Sequence, residues 1–472
     1  MTQGSGRSGP SGVSGPDGGN AGAARPASSR PGVLAFGSID SARGSLVLLL
    51  GLNLLTYLDR QVLAAVESRI QLDILPDDPN AQAKMGLLAT MFLVSYMVFS
   101  PAFGVLGDRM SRWVLVSIGT VLGALATGWT GVAASFAGLF LARCMVGVAE
   151  AAYAPVAPTL LSDLYPVKDR GKILAWFYAA IPVGSAVGYA YGGLVADFFH
   201  WRWAFLGLVI PGIVLGLVPL WFKDPRPVAT RTAAGGQPGA AGGPPAPLAE
   251  RLRTYGRLFR IPSYALCCGG MTAMTFAMGG ISFWMPRYIH VTREHGTLGG
   301  VTLTLGVIVV VTGLAATLGG GWLGDKLRDR YGGSYFLVSG GGLLAGFPLF
   351  LLVLLLPFPW AWVPLAGAVF CLFFNTGPSN TIIANVTEPP VRSTAFALNI
   401  FIIHALGDAI SPPLIGYMAD RVGLGLAIGV VGVMFLVGGV LWLLGARYLA
   451  RDTERVERKY PHSRSEGVPI PV

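Results

Sequence analysis

The sequence predicts an all-α membrane protein with twelve transmembrane helices in two pseudo-symmetric six-helix bundles. Three observations carry that class. Of 472 residues, 53% are hydrophobic and only 12% charged, against about 25% charged in a soluble domain. The apolar residues fall into twelve runs close to the roughly 20 residues a helix needs to cross a bilayer. Two motifs then recur between the halves. Gly104-Val-Leu-Gly107-Asp108-Arg109 is echoed by Gly321-Trp-Leu-Gly324-Asp325-Lys326, and Gly193-Leu-Val-Ala-Asp197 by Gly416-Tyr-Met-Ala-Asp420. Parallel repeats of this kind build transporters whose site lies near the midplane between the halves.

Taken in order, residues 1–43 are rich in Gly, Ser, Pro and Ala and poor in large apolar residues, so a disordered cytoplasmic tail is expected. It lacks the apolar stretch of a cleavable signal peptide. The first bundle spans 44–222, with runs at 44–66, 84–106, 112–131, 135–162, 172–196 and 202–222. A Pro/Gly/Ala-rich cytoplasmic linker occupies 223–262. Two readings stand for its end, Leu248–Phe259. It is an amphipathic helix on the membrane surface with Leu252, Tyr255, Leu258 and Phe259 on the apolar side, or a basic linker without fixed contacts. The second bundle spans 263–447, with runs at 263–288, 298–323, 334–356, 361–386, 394–419 and 422–447. A cytoplasmic C-tail, 448–472, completes the chain.

The net charge of +10 is read as topology rather than nucleic-acid binding. Most of the 34 Lys and Arg lie in the two tails, the linker and the loops on the same side, which places both termini in the cytoplasm. Cys144, Cys267, Cys268 and Cys371 sit in apolar runs without metal-ligand spacing and are read as reduced packing residues. No metal or cofactor is expected. The Gly/Ala/Arg-heavy composition points to a GC-rich bacterial genome and hence the inner membrane.

Only Arg60 and Arg143, of all the basic residues, fall well inside the spans rather than at their ends. A charge at mid-membrane costs about 2.5–3.5 kcal/mol on insertion scales, so it survives by pairing, reaching water or doing work. The first run carries Thr56-Tyr57-Leu58-Asp59-Arg60 and the fourth carries Arg143-Cys-Met-Val-Gly147-Val-Ala-Glu150. Arg143 and Glu150 are seven apart and share a helix face. Two acids and two bases can therefore neutralise one another, either as a structural network or as a proton-sensitive one. Pro155 and Pro158 follow as candidate kinks.

Other motifs have narrower readings. The turn after the second run, Gly104 to Arg112, suits a tight cytoplasmic gate or latch, with Asp108 near the next helix's N-terminus and Arg109 and Arg112 beside it; Asp325 is its counterpart. Gly184, Gly188 and Gly192 form a four-residue stripe for close helix packing. His404 and Asp408 are one turn apart, as a packing pair or a proton relay.

Tyr57-Leu-Asp59-Arg60, Gly147-Val-Ala-Glu150-Ala-Ala-Tyr153, Tyr178-Ala-Ala-Ile-Pro182-Val-Gly184-Ser185 and His404-Ala-Leu-Gly407-Asp408-Ala-Ile-Ser411-Pro412 together resemble the Spinster family of lipid transporters, within the major facilitator superfamily. The likeness runs from about residue 44 to 447. Thr56 stands where the family often has Asn, Ala149 where it has Gly, and Trp113 where the superfamily's loop signature has a further basic residue. The resemblance implies a major facilitator fold, movement of a lysophospholipid or sphingosine phosphate by alternating access, and coupling to protons. It assigns proton coupling to Asp59 and Glu150, with Arg60 and Arg143 as partners or head-group contacts. Candidate pocket residues are Tyr57, Tyr153, Tyr178, Phe276, Trp284, Asn375, His404 and Asp408. Met271, Met274, Phe283, Phe373, Phe374 and Thr376 are further wall candidates. A monomer is expected. The rival reading is a proton-coupled symporter of small organic anions. A lipid-modifying enzyme lacks a nucleophile or metal constellation, and a channel fits the two-fold repeat with buried charges less well.

Overall fold

The computed structural model describes residues 41–225 and 248–460. In the first half, α1 (Ala42–Ile74), α2 (Ala81–Arg109), α3 (Arg112–Val132), α4 (Phe136–Tyr153), α5 (Ala157–Leu164), α6 (Val167–Phe198) and α7 (Arg202–Leu217) follow one another through short turns. In the second half, α8 (Leu248–Phe259) precedes α9 (Pro262–Arg287), α10 (Leu298–Arg328), α11 (Ser334–Leu355), α12 (Trp362–Phe373), α13 (Thr376–Val386), α14 (Arg392–Ile403), α15 (Ser411–Val422) and α16 (Gly429–Lys459). Among the described residues, eleven helical segments are long and apolar enough to cross a membrane. The twelfth predicted run is present as the consecutive pair α12 and α13.

The break between α12 and α13 has a local cause. Pro378 has no N–H to donate to the preceding turn. Asn375 and Thr376 instead turn their side chains back onto the Leu372 and Phe373 carbonyls. The freed Phe374 carbonyl lies against Gly320 of α10, where any side chain would collide with it. In the first half Pro155 and Pro158 similarly divide the fourth span into α4 and α5. α1 continues past Val66 to Ile74. The last helix reaches Lys459, so the first part of the expected C-tail is helical. In its last turns Arg458 pairs with Glu454 one turn away.

Glycine sets the closest contacts within the first half. The 184/188/192 stripe of α6 lies against α1. A Cβ on Gly184 would stand 2.6 Å from the Leu54 carbonyl oxygen, and one on Gly188 would collide with that of Leu58. Across the halves, α6 packs on α10 and α2 on α15. α8 is helical as one of the two readings expected: Leu258 is buried, whereas Arg253, Arg257 and Phe259 are exposed. Residues 1–40, 226–247 and 461–472, and the side chain of Leu252, lie outside the described residues.

Candidate functional site

α1 and α4 bring their charged residues together within the first half, where two acids and two bases meet. Arg143 Nη1 donates to Asp59 Oδ2 at 3.3 Å, while Thr127 of α3 donates to Asp59 Oδ1 at 2.9 Å. Arg60 holds Glu150 with both sides of its guanidinium: Nε donates to Oε2 at 3.2 Å and Nη2 donates to Oε1. Arg143, Asp59 and Glu150 are buried. Consecutive residues on one helix point about 100° apart. Asp59 and Arg60 therefore take different partners rather than each other.

Phe92 of α2 completes the cluster. The Arg60 and Arg143 guanidinium carbons lie 4.7 and 5.5 Å from its ring centroid, and Tyr57 covers Arg60 at 4.8 Å. Cation–π contacts of this kind contribute up to about 2 kcal/mol when desolvated. Both arginines thus have the Phe92 ring as a common neighbour.

A cavity of about 320 Å³ lies between the halves, within the usual range for small-molecule sites. Its first-half wall carries Tyr57, Arg60, Phe92, Arg143, Pro182, Ser185 and Tyr189. The second-half wall carries Thr275, Ser282, Phe283, Leu305, Val309, Phe373, His404 and Asp408. His404 Nδ1 lies 3.0 Å from Asp408 Oδ2, and the two residues bound a π turn between α14 and α15. Such turns are frequent at functional positions. A second, small cavity of about 60 Å³ is lined by Thr56, Asp59, Thr127, Glu150 and Tyr153.

Tyr57, Arg60, Arg143, His404 and Asp408 are thus brought together on the large cavity, and Asp59, Glu150 and Tyr153 on the small one. Tyr178, Phe276, Trp284 and Asn375 line neither. Trp284 is fully buried, with its indole N–H donating to the Pro412 carbonyl at 2.9 Å. Phe276 packs in the core and Asn375 holds the α12–α13 break. Tyr178 is half exposed against Phe177. Sequence reading missed Phe92, Thr127 and Tyr189, because an aromatic or hydroxyl side chain in an apolar run gives no signal of its own.

The loop residues form ties within each half. Arg112 Nη2 pairs with Asp163 at 2.7 Å and Asp224 at 3.2 Å. Asp325 accepts from Tyr335 at 2.8 Å. Arg109 is exposed, Gly104 has open space around it, and the side chain of Asp108 lies outside the described residues. Trp113 is buried, with its ring centroid 5.0 Å from that of Phe222.

Polar ties between the halves gather at the end of the bundle where α1 finishes. Arg287 Nη1 meets Glu67 at 3.2 Å. Asp197 of α6 accepts from the Gly299 N–H of α10 at 2.7 Å. Asp420 of α15 accepts from the Gln82 and Ala83 N–H groups of α2 at 3.0 and 2.9 Å. Each half thus supplies an aspartate that caps a helix of the other.

The Major Facilitator Superfamily profile matches residues 49–407. A zebrafish (Danio rerio) protein, spinster homolog 3, is 32% identical over 436 residues, covering 86% of this chain and 85% of the relative. The chain belongs to the Spinster family of that superfamily. Another Spinster relative, the mouse (Mus musculus) sphingosine-1-phosphate transporter SPNS2, is 31% identical, with 86% of this chain and 77% of the relative covered. The fold agrees with a crystal structure of a bacterial homologue of the human lysosomal transporter Spinster, in an inward-facing and unoccupied conformation. The TM-score is 0.75 at 20% identity, covering 88% of this chain and 99% of that one.

Proposed function

We propose that this Spinster-family chain is a secondary transporter that carries a lysophospholipid or sphingolipid-like amphiphile by alternating access, with the movement linked to protons. The carrying observation is the makeup of the large cavity. Arg60 and Arg143 stand on one wall, while Leu63, Ile281, Phe283, Leu305, Val309 and Phe373 supply apolar surface around them. An anionic head group suits the first and an acyl chain the second. Among the described residues, Arg143 Nε has no acceptor, which leaves a donor for a head group. The sphingosine-1-phosphate transporter among the relatives supports this substrate class.

Asp59 and Glu150 are the proton-coupling carboxylates in this reading. Protonating either one neutralises the partner of an arginine and changes what that arginine offers to the cavity. With both termini cytoplasmic, as the distribution of Lys and Arg indicates, the Asp197 and Asp420 caps lie at the outer end. A bacterial inner membrane fits the composition. The small-anion alternative has less support, since a short acid would leave the apolar wall unused.

The test is flux of a fluorescent lysolipid in proteoliposomes, with and without a pH gradient. The expected result is gradient-dependent flux that Asp59→Asn and Glu150→Gln each abolish without loss of folded protein. Competition by short-chain acids but not by unlabelled lysolipid would overturn the substrate class. A pH response that persists in both variants would overturn the proton assignment.

A further inference from the structure

The two ion pairs share an arrangement that substrate binding alone leaves unexplained. In each pair the carboxylate faces one cavity and the guanidinium faces another. Asp59 and Glu150 line the small cavity among α1, α3, α4 and α7, whereas Arg143 and Arg60 line the large one. No residue lines both. The small cavity, about 60 Å³, exceeds the roughly 10–15 Å³ that one water needs. Thr120 and Thr127 add hydroxyls to its two carboxylates, so a water there finds the several polar partners it requires.

We propose that the small cavity is a water site through which Asp59 and Glu150 exchange protons, separate from the cavity that takes the amphiphile. This inference rests on the proton-linked reading above. The charged or titratable groups facing the carboxylates are Tyr57 and Arg60 from α1, Tyr96 from α2, and Arg143 and Tyr153 from α4. α3 presents hydroxyls, and α7 presents only Leu208 and Gly212. Phenols ordinarily titrate near pH 10, so the two carboxylates are the proton carriers this cluster offers. A proton from cavity water that binds Glu150 neutralises it and weakens its hold on Arg60. The guanidinium then turns its donors to an anionic head group in the large cavity. Loss of the proton to the same water restores the pair. The ion pairs thus form a partition, with proton chemistry on one side and substrate on the other.

Filling the small cavity tests the route. A Cβ on Gly123 meets only the Ala149 Cβ, at 3.5 Å, so Gly123→Ala is sterically compatible; Thr120→Ile adds further bulk. The double variant is expected to lose at least about fivefold of gradient-driven lysolipid flux, with equilibrium lysolipid binding at fixed pH unchanged within about twofold. Wild-type gradient-driven flux in the folded double variant would overturn the route. Wild-type protein whose flux ignores the gradient would instead overturn the proton-linked reading, and this inference with it. A second measurement needs no variant: hydrogen–deuterium exchange of the protonated carboxyl band, followed by infrared spectroscopy. It should proceed at the same rate with and without saturating lysolipid. Exchange blocked by the lipid would place proton entry in the large cavity and defeat the proposal.

Discussion

Arg143 and Asp59 form a pair whose worth depends on both members being present. Removing one partner of a buried pair typically costs about 3–5 kcal/mol, because the other charge stays behind without compensation. Arg143→Leu should therefore lower the thermal unfolding midpoint sharply, leaving Asp59 with only the Thr127 hydroxyl. The double variant Asp59→Asn/Arg143→Leu should recover most of that loss while remaining inactive in flux. A double variant no more stable than Arg143→Leu alone would show that the pair is not coupled. These charges were legible in the sequence because a charge in an apolar run demands a reason. Phe92 was not, since one more phenylalanine in a membrane helix carries no such demand. Aromatic residues proposed for the pocket scattered for a related reason. Helices apolar all round give no phase, so nothing in the spacing tells whether Trp284 or Phe283 faces the cavity.

The helices themselves were largely readable from length and hydropathy, and their interruptions only in part. Pro155 and Pro158 announced the α4–α5 break, whereas the α12–α13 break depends on Asn375 and Thr376 folding back onto their own helix. The small-residue stripe was also legible, and its partner proves to be α1. Gly188→Leu should separate α1 from α6, and with it displace Asp59 and Arg60, because the new side chain meets the Leu58 carbonyl. Little or no monodisperse protein after detergent extraction is the expected result, with Ser185→Ala on the adjacent face as the tolerated control. At the other end of the chain, Glu388 accepts from Lys459 at 2.9 Å. That hydrogen bond holds the Glu388 carboxyl below its ordinary range. A lowered folded-state pKa contributes stability above the unfolded pKa, near 4.3, and loses it as pH falls through the lowered value. Glu388→Gln should therefore lower the unfolding midpoint slightly at pH 7, as a partly exposed pair contributes little, and by less at pH 3. An equal effect at both values would rule out the ionic contribution.

At the scale of the whole molecule, the repeat seen in sequence becomes a mechanical relation between the halves. Asp197 and Asp420 occupy equivalent places, and each crosses to cap the opposite half: Asp197 at the start of α10 and Asp420 at the start of α2. Their motifs were visible in the sequence; their reach across the interface was not, because a motif gives a position in its own helix and not the neighbour it meets. A side-chain N-cap contributes about 1 kcal/mol, and negative charge at a helix N-terminus adds up to about 1 kcal/mol more at a partly exposed site. Both caps are lost when this end opens, so they stabilise the closed state by a few kcal/mol. Asp197→Ala/Asp420→Ala should accordingly move the equilibrium toward opening at this end by about tenfold or more, since about 1.4 kcal/mol is a factor of ten. Spin labels at Asp77 and Thr292, both exposed at this end, report the change as a longer-distance population in pulsed electron resonance. The Asp→Asn pair separates the two contributions, because asparagine still accepts the N–H bonds but carries no charge. An intermediate population is expected for it. Identical distance distributions in wild type and the double-alanine variant would show that packing of α6 on α10 and α2 on α15 closes this end without help from the caps.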